Sequence, residues 1–314
     1  MGAALLAAAW GHVDLVPQSL NIAWWGPLVY GGIVAGYHWL RALRWYFLLR
    51  PFSEIRRAEA SAVAYVGFLW ITLLPLRLGE AIRPTLLMKY HDVGLGRAAG
   101  TIVVERVVDA VIICALFLSA NLYKPWRPGS DTEPLEQLIS GTNLLAGALL
   151  LAVAVIVALA LRPGLFGRLV AIPFGAKLGH LGRELAEGMA SLATPRWLAA
   201  FVLTTLAYWG LNALGIWFLA HACGLQLSLA QSAVLMALLG LMLLLPSAPA
   251  QAGPFQLGIV FGLKLFVTHE ELATAGSVFV FLCYFCQLTV TTLYGLYGHA
   301  RLRFRWGWPS STGD

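Results

Sequence analysis

Long apolar stretches, each close to the length of a membrane-spanning helix, alternate along this chain with short polar and basic segments. A helix needs about 20 mostly apolar residues to cross the roughly 30 Å hydrocarbon core of a bilayer. The pattern therefore predicts an all-α protein, a polytopic integral membrane helical bundle. The predicted spans are residues 22–43, 98–123, 139–161, 197–220 and 274–298.

Two further apolar stretches are interrupted by glycine and proline. The first, about residues 60–90, has basic segments on both sides, which places both of its ends in the cytoplasm. The second, about residues 228–266, contains LPSAPAQAGP at 245–254, whose prolines forbid a continuous helix, and both of its ends are predicted to be external. We therefore predict two re-entrant hairpins. Broken segments in corresponding places of two halves indicate an inverted-repeat transporter, and kinked hairpins without functional symmetry are the alternative.

These features organise the chain as one membrane domain over residues 1–314. Arginines follow the last predicted span, so the positive-inside rule predicts a cytoplasmic C-terminus. The predicted parts are an N-terminal surface segment (1–21), a first half (22–123), a connecting span with a cytoplasmic loop (124–196), a second half (197–305) and a tail (306–314).

The composition narrows the class of protein. Charged residues make up 11% of the 314 residues, against about 25% in an ordinary soluble domain, and hydrophobic residues make up 59%. These values exclude a typical soluble protein. The net charge of +6 comes from short basic clusters beside apolar segments, so it indicates membrane topology and contact with anionic phospholipid rather than nucleic-acid binding.

Motifs for cofactors and for catalysis are missing from the sequence. There is no P-loop, no HExxH and no GxSxG pattern. Cys283 and Cys286 form a CxxC, but their apolar neighbours favour packing over zinc or redox chemistry. The sequence therefore predicts no cofactor, no metal site and no enzyme activity.

Two clusters of charged residues interrupt the apolar segments, where an ionisable group costs about 2.5–3.5 kcal/mol to insert and is a functional candidate. Spacings of three and four residues bring each cluster to one sector of a helix, and together the clusters are electrically neutral. The groups either pair with one another to fasten the first broken segment to the next helix, or offer arginines to a phosphate. The predicted substrate-binding residues are Arg77, Glu80 and Arg83, followed by Glu105, Arg106 and Asp109.

Arg41 and Arg44 lie at the cytoplasmic end of the first predicted span, on one side of a helix with His38. Long basic side chains in this position commonly extend to the membrane surface. Contact with a lipid head group is the functional alternative for both arginines.

Four segments in this order resemble the lysylphosphatidylglycerol synthase transmembrane family, a flippase-like domain found in bacterial and archaeal proteins. They are RALRWYFLLRP at 41–51, PLRLGEAIRP at 75–84, ERVVDAVI at 105–112 and LPSAPAQAGPFQLG at 245–258. The resemblance implies a multi-pass protein of the prokaryotic cytoplasmic membrane. It covers the transmembrane part only, so a stand-alone member without the soluble aminoacyl-transferase domain is expected.

The resemblance also identifies the elements expected to break the helices. Gln256 stands where many members carry glutamate, and Ala250 stands where a glycine is expected, which argues against a shared proton-coupling role for the second broken segment. The expected broken-helix elements are Gly79, Pro84, Pro249, Gly253, Pro254 and Gln256.

Together, charge at membrane depth and the resemblance predict a flippase-like transporter. Its substrate would be a phospholipid, an aminoacyl-phospholipid or a polyprenyl-phosphate-linked lipid. Arg77 and Arg83 are expected to contact the phosphate, with Glu80 orienting them. The alternatives are a membrane-embedded lipid-modifying enzyme that uses one of these carboxylates as general acid or base, and a scaffold for a separate synthase. A homo-oligomer or a synthase is the expected protein partner.

Overall fold

The computed structural model describes residues 22–123, 194–243 and 248–306, together with residues 11, 140–141, 143–144, 147–148, 150–151 and 188. Every regular element among these residues is helical, which confirms the all-α prediction. The predicted segments 1–21 and 306–314, and the span at 139–161, lie largely outside the described residues. The helices are α1 (Trp25–Leu49), α2 (Arg57–Leu73), α3 (Ile82–His91), α4 (Leu95–Tyr123), α5 (Pro195–Ala222), α6 (Leu229–Met242), α7 (Pro254–Lys264) and α8 (Ser277–Trp306).

The first long helix of each half, α1 and α5, pack against each other along their length. Contacts of Gly26 with Ala222, and of Gly36 with Leu211, show that they run antiparallel. A Cβ added at Gly215 would lie 2.8 Å from the Cγ2 of Ile33, so the absence of a side chain there permits the close approach.

Helices α2 and α3 form the first hairpin, joined by a 3-10 turn at Pro75–Ala81 that we call the first tip. The chain leaves α2 through Leu74, whose backbone is extended, and Pro75 then starts the 3-10 turn. A Cβ at Gly79 would lie 2.1 Å from the carbonyl carbon of Trp70 and 2.2 Å from the amide nitrogen of Ile71. Only glycine therefore allows the first tip to lie directly on the backbone of α2.

Helices α6 and α7 form the second hairpin around a short 3-10 turn, Pro249–Gln251, that we call the second tip. The hairpin is antiparallel, because Gly258 lies against Leu239 and Gly262 lies against Leu235. Helix α7 begins with a cap in which the amide of Gly253, at φ 95°, donates to the side-chain oxygen of Gln256 at 2.9 Å.

Packing between the halves is reciprocal. Helix α8 lies along α2, and α4 lies along α6, so the last helix of each half covers the hairpin of the other. The two tips also touch each other. Tyr284 of α8 donates a hydrogen bond to the carbonyl oxygen of Ala250 at 2.9 Å, which holds the second tip.

Among the described residues, two helical segments are long and apolar enough to cross a membrane, Pro195–Ala222 and His269–Arg303. The second begins with a short helical turn and a π-helical turn before α8. Their outward faces carry leucines that are mostly exposed, as expected for surfaces in contact with lipid. The most exposed are Leu203, Leu206, Leu293 and Leu296.

Candidate functional site

A cavity of about 400 Å³ lies between the two halves. Residues of α1, α2, α4, α5, α6, α7 and α8 line it, together with residues from both tips. Its volume is within the range typical of sites for small ligands, about 300–1,000 Å³. The polar and charged lining residues are Tyr37, Arg41, Thr72, Arg77, Glu80, Arg106, Asp109, Tyr208, Asn212, Gln251, Gln287 and Thr291.

Arg44 of α1 is completely buried at the centre of the charged residues. Its two terminal nitrogens bind both carboxylate oxygens of Asp109, at 2.6 Å and 2.8 Å. Its Nε also lies 3.4 Å from an oxygen of Glu105. This planar, two-point pairing is the strongest geometry available to an arginine and a carboxylate, so Arg44 joins α1 to α4. The Trp209 indole donates a further hydrogen bond to Asp109 at 3.1 Å.

Arg83 of α3 is equally buried, and it does not line the cavity. It donates to the other oxygen of Glu105 at 2.7 Å, which fastens the first hairpin to α4. Its guanidinium lies 5.0 Å from the ring centre of Trp45 and 5.3 Å from that of Phe68. A Cβ at Gly67 would lie 2.3 Å from the Cγ of Arg83, so this glycine makes room for the side chain.

Arg77 connects the first tip to the second hairpin. It donates to Glu80 at 3.0 Å and to the backbone carbonyl of Leu243, at the end of α6, at 2.9 Å. The backbone of Arg77 has φ 57°, a left-handed conformation that costs a non-glycine residue of order 1–3 kcal/mol. The surrounding contacts hold this conformation and direct the guanidinium toward the cavity and the neighbouring half.

Two more arginines line the cavity. Arg106 lies 3.6 Å from Asp109, which is already paired with Arg44. The guanidinium of Arg41 lies 4.0 Å from the ring centre of Phe68. Within the part of the chain that the structure describes, Arg41 has no hydrogen bond and no ion pair, so it is available to a ligand.

These residues form one charged cluster. The six predicted binding residues balance three arginines against three carboxylates, but Arg41 and Arg44 belong to the same group. Five arginines against three carboxylates leave a net charge of +2, which favours an anionic ligand. The cluster consists of Arg41, Arg44, Arg77, Glu80, Arg83, Glu105, Arg106 and Asp109.

A second group of lining residues is polar but uncharged. We call Tyr37, Tyr208, Asn212, Gln287 and Thr291 the neutral set. Tyr37 donates to the side-chain oxygen of Gln287, and the Gln287 amide nitrogen lies 3.0 Å from the Nε2 of the buried His38. Thr291 lies 3.2 Å from the same histidine nitrogen. The remaining members, Tyr208 and Asn212, are one helical turn apart on α5.

The structure thus brings all six predicted binding residues together but divides them by position. Four line the cavity, whereas Arg83 and Glu105 lie behind its wall. Arg44 is a buried pairing partner rather than a residue that extends to the surface. Gly79 docks the first tip, and Pro84 is buried in the first turn of α3. Pro249 starts the second tip, Pro254 starts α7, and Gly253 and Gln256 cap α7.

Sequence reasoning missed the uncharged polar residues that line the cavity: Tyr37, Thr72, Tyr208, Asn212, Gln251, Gln287 and Thr291. A signal existed for the first, because Tyr37, Arg41 and Arg44 follow the spacing of one helix face. Thr291 and Gln251 are brought to the cavity by tertiary packing, and no local pattern distinguishes them from ordinary helix and turn residues.

The fold and the cavity define an all-helical membrane protein with a positively charged internal site. The chain belongs to the family described as lysylphosphatidylglycerol synthase TM region, whose model matches residues 1–291. The resemblance found in the sequence is confirmed. Membership in this family indicates a function related to membrane lipids. Comparison with curated proteins gave no match, and comparison with solved structures gave none either.

Proposed function

We propose that this protein is a flippase-like transporter that moves a lipid with an anionic head group between the two leaflets of the membrane. The observation that carries the proposal is the net positive cavity between the two halves of a membrane protein. Phosphate binds guanidinium groups through paired, planar hydrogen bonds. The cavity would hold the head group while the acyl chains stay in the bilayer.

The order and packing of the helices support an inverted repeat of two halves. Each half contains a long helix, a broken hairpin and a second long helix, and α1 and α5 run antiparallel. The cover of each hairpin by the last helix of the other half is repeated in both directions. In this proposal the hairpins are re-entrant from opposite sides, and rocking of the halves gives alternating access to the cavity.

The roles proposed for the arginines follow from their positions. Arg41, Arg77 and Arg106 line the cavity and would contact the phosphate. Arg44 is paired with Asp109, and Arg83 is paired with Glu105. Both arginines would therefore stabilise the site rather than bind the lipid. This assignment replaces the expectation that Arg83 contacts the phosphate.

The pairing of the carboxylates supports transport over catalysis. A general acid or base must reach the proton that it transfers, at about 2.6–3.2 Å or through one water. Glu105 is buried between Arg44 and Arg83, Asp109 is bound by Arg44 and Trp209, and Glu80 is bound by Arg77. We therefore propose that the protein acts without catalysis by these carboxylates.

The proposed setting is the cytoplasmic membrane of a prokaryote, with the C-terminus in the cytoplasm. Arg301 and Arg303 end α8 as exposed basic residues, as the positive-inside rule requires for a cytoplasmic end. A membrane potential would bias the movement of an anionic lipid by about 2.3 kcal/mol per 100 mV for each charge carried across.

Leaflet exchange in proteoliposomes tests the proposal. Exchange of a fluorescent anionic phospholipid should fall about tenfold or more in Arg41→Gln, because one charge-assisted hydrogen bond contributes about 1.5–3 kcal/mol. Arg57→Gln is the matched control, since Arg57 is exposed and lies over Trp39 outside the cavity. Equal exchange by wild type, both variants and protein-free vesicles would reject transport. In that case, co-purification of a stoichiometric synthase would favour the scaffold alternative.

A further inference from the structure

Two members of the neutral set have hydrogen-bonding groups that no described protein group uses. Tyr208 and Asn212 both line the cavity, and within the described ranges 22–123, 194–243 and 248–306 neither side chain has a hydrogen-bond partner. They are four residues apart on α5, so they lie on one face of the helix. A hydroxyl and an amide on the same face can donate and accept at adjacent points of a ligand.

The rest of the neutral set is held in place and carries no charge. Gln287 accepts from Tyr37 and lies within hydrogen-bond distance of His38 and Thr291, which fixes the orientation of its amide. The rings of Tyr208 and Trp209 add apolar surface at the same part of the cavity. Aromatic surface beside fixed amides and hydroxyls suits a ligand that presents several hydroxyl groups on a carbon framework.

Among the described residues that line it, the cavity has no unpaired carboxylate for a cationic head group. Glu80 is paired with Arg77, and Asp109 accepts from Arg44 and Trp209 and lies beside Arg106. An amino group on the ligand would therefore meet excess positive charge with no free partner. Leaving a charge unpaired in a desolvated site is strongly unfavourable.

We infer that the head group bound in this cavity combines a phosphate with a neutral polyol or sugar, and that an aminoacylated, cationic head group is excluded. The charged cluster would take the phosphate, and Tyr208 and Asn212 would take the hydroxyls. The inference rests on the proposed function for the identity of the ligand as a lipid, but its test measures binding and not transport.

The test is thermal stabilisation of the whole protein, purified in detergent, by short-chain lipids. The probes are phosphatidylglycerol and phosphatidylinositol, with phosphatidic acid lacking the polyol and lysylphosphatidylglycerol carrying the cation. We expect the two polyol lipids to bind about tenfold more tightly than the other two. Asn212→Ala and Tyr208→Phe should lower the affinity for the two polyol lipids to that for phosphatidic acid, because each removes only a hydroxyl contact, and lysylphosphatidylglycerol should stay the weakest ligand because the charge of the cavity is unchanged. Leu206→Ala, on the exposed face of the same helix, should change nothing.

A second variant tests directly whether a cationic head group is excluded because the cavity lacks a free carboxylate. Asn212→Asp supplies the free carboxylate that the cavity lacks, and it should raise the affinity for lysylphosphatidylglycerol about tenfold relative to wild type. Preferential binding of lysylphosphatidylglycerol by the wild type, or equal binding of all four lipids, would overturn the inference. Soluble glycerol phosphate binding as tightly as phosphatidylglycerol would also overturn it, since the ligand would then be a free polyol phosphate.

The outcomes separate the inference from the proposed function. Selective binding of polyol lipids without leaflet exchange would keep the inference and reject transport. Leaflet exchange that requires Arg41 but proceeds equally with and without a polyol head group would support the proposed function and reject the inference.

Discussion

The two broken hairpins share one order of elements, a helix, a 3-10 turn and a second helix, but they differ in chemistry. The first hairpin carries Arg77, Glu80 and Arg83 within and just after its tip. Across α6, the second tip and α7, the only charged residue among those described is Lys264, at the end of α7. The second hairpin instead offers a backbone carbonyl at Leu243 and the amide side chain of Gln251. The first hairpin thus supplies charged groups to the cavity, and the second hairpin supplies neutral ones.

The first hairpin is also held by more side-chain ion pairs than the second. Glu105 lies between Arg44 and Arg83, and Asp109 takes both terminal nitrogens of Arg44. The second hairpin is fastened through its backbone, by the Gly253 to Gln256 cap and the hydrogen bond from Tyr284 to Ala250. Side-chain changes should therefore damage the first hairpin far more than the second.

The largest effect is expected for Glu105→Leu. Removing this carboxylate leaves two buried arginines each short of a partner, and breaking a buried ion pair costs about 3–5 kcal/mol. The unfolding free energy in detergent should fall by about that amount, measured by equilibrium denaturation. Wild-type stability would show that the pairing does not hold the first hairpin to α4.

A matched pair of glycines sharpens the contrast between the hairpins. Gly79→Ala places a Cβ on the backbone of Trp70, which cannot move aside, and it should cost about 3 kcal/mol. Gly258→Ala meets the Cα of Leu239 at 3.0 Å and the Cβ of Met242 at 3.1 Å, and a small shift of α6 relieves this at about 1 kcal/mol. Melting temperatures of the two variants measure the difference. A larger loss for Gly258→Ala would contradict this account of how the first tip docks.

The smallest effect is expected for the pairing of Arg77 with Glu80. Their side chains are 19% and 30% exposed, so solvent weakens the attraction, and a double-mutant cycle should give a coupling of about 0.5–1 kcal/mol. The Arg56–Glu59 pair is the control, because Arg56 is 72% exposed and its coupling should be smaller still. A coupling above about 2 kcal/mol for Arg77 and Glu80 would mean that this pair, too, is a structural fastening.

The sequence was sufficient to predict helices, the family and six of the eight residues of the charged cluster, because charge in an apolar segment is conspicuous. It was not sufficient to predict what each arginine does. Arg44 stands near the end of an apolar segment, where extension to the surface is ordinary, and only the position of α4 gives it Asp109 as a partner. The net charge of the cluster was missed for the same reason.

For the carboxylates, too, the sequence predicted the position on the helix but not the role. The spacing of Glu105 and Asp109 placed them on one helix face, as α4 has them. That spacing could not show that one lies behind the cavity and the other lines it. The Gly79 contact with α2 was equally invisible, since glycine in the sequence marked a break and not a backbone-to-backbone contact.

The hydrogen bond from Arg77 to the carbonyl of Leu243 joins the two halves through a side chain that also lines the cavity. In the proposed transporter, an anion bound at Arg77 would compete with that carbonyl for the same guanidinium. Because the ligand and the contact between the halves draw on one group, the free energy of occupancy and the free energy that holds the tips together are thermodynamically linked. Through Arg77 alone, binding of the lipid would then change the strength of the contact between the two halves.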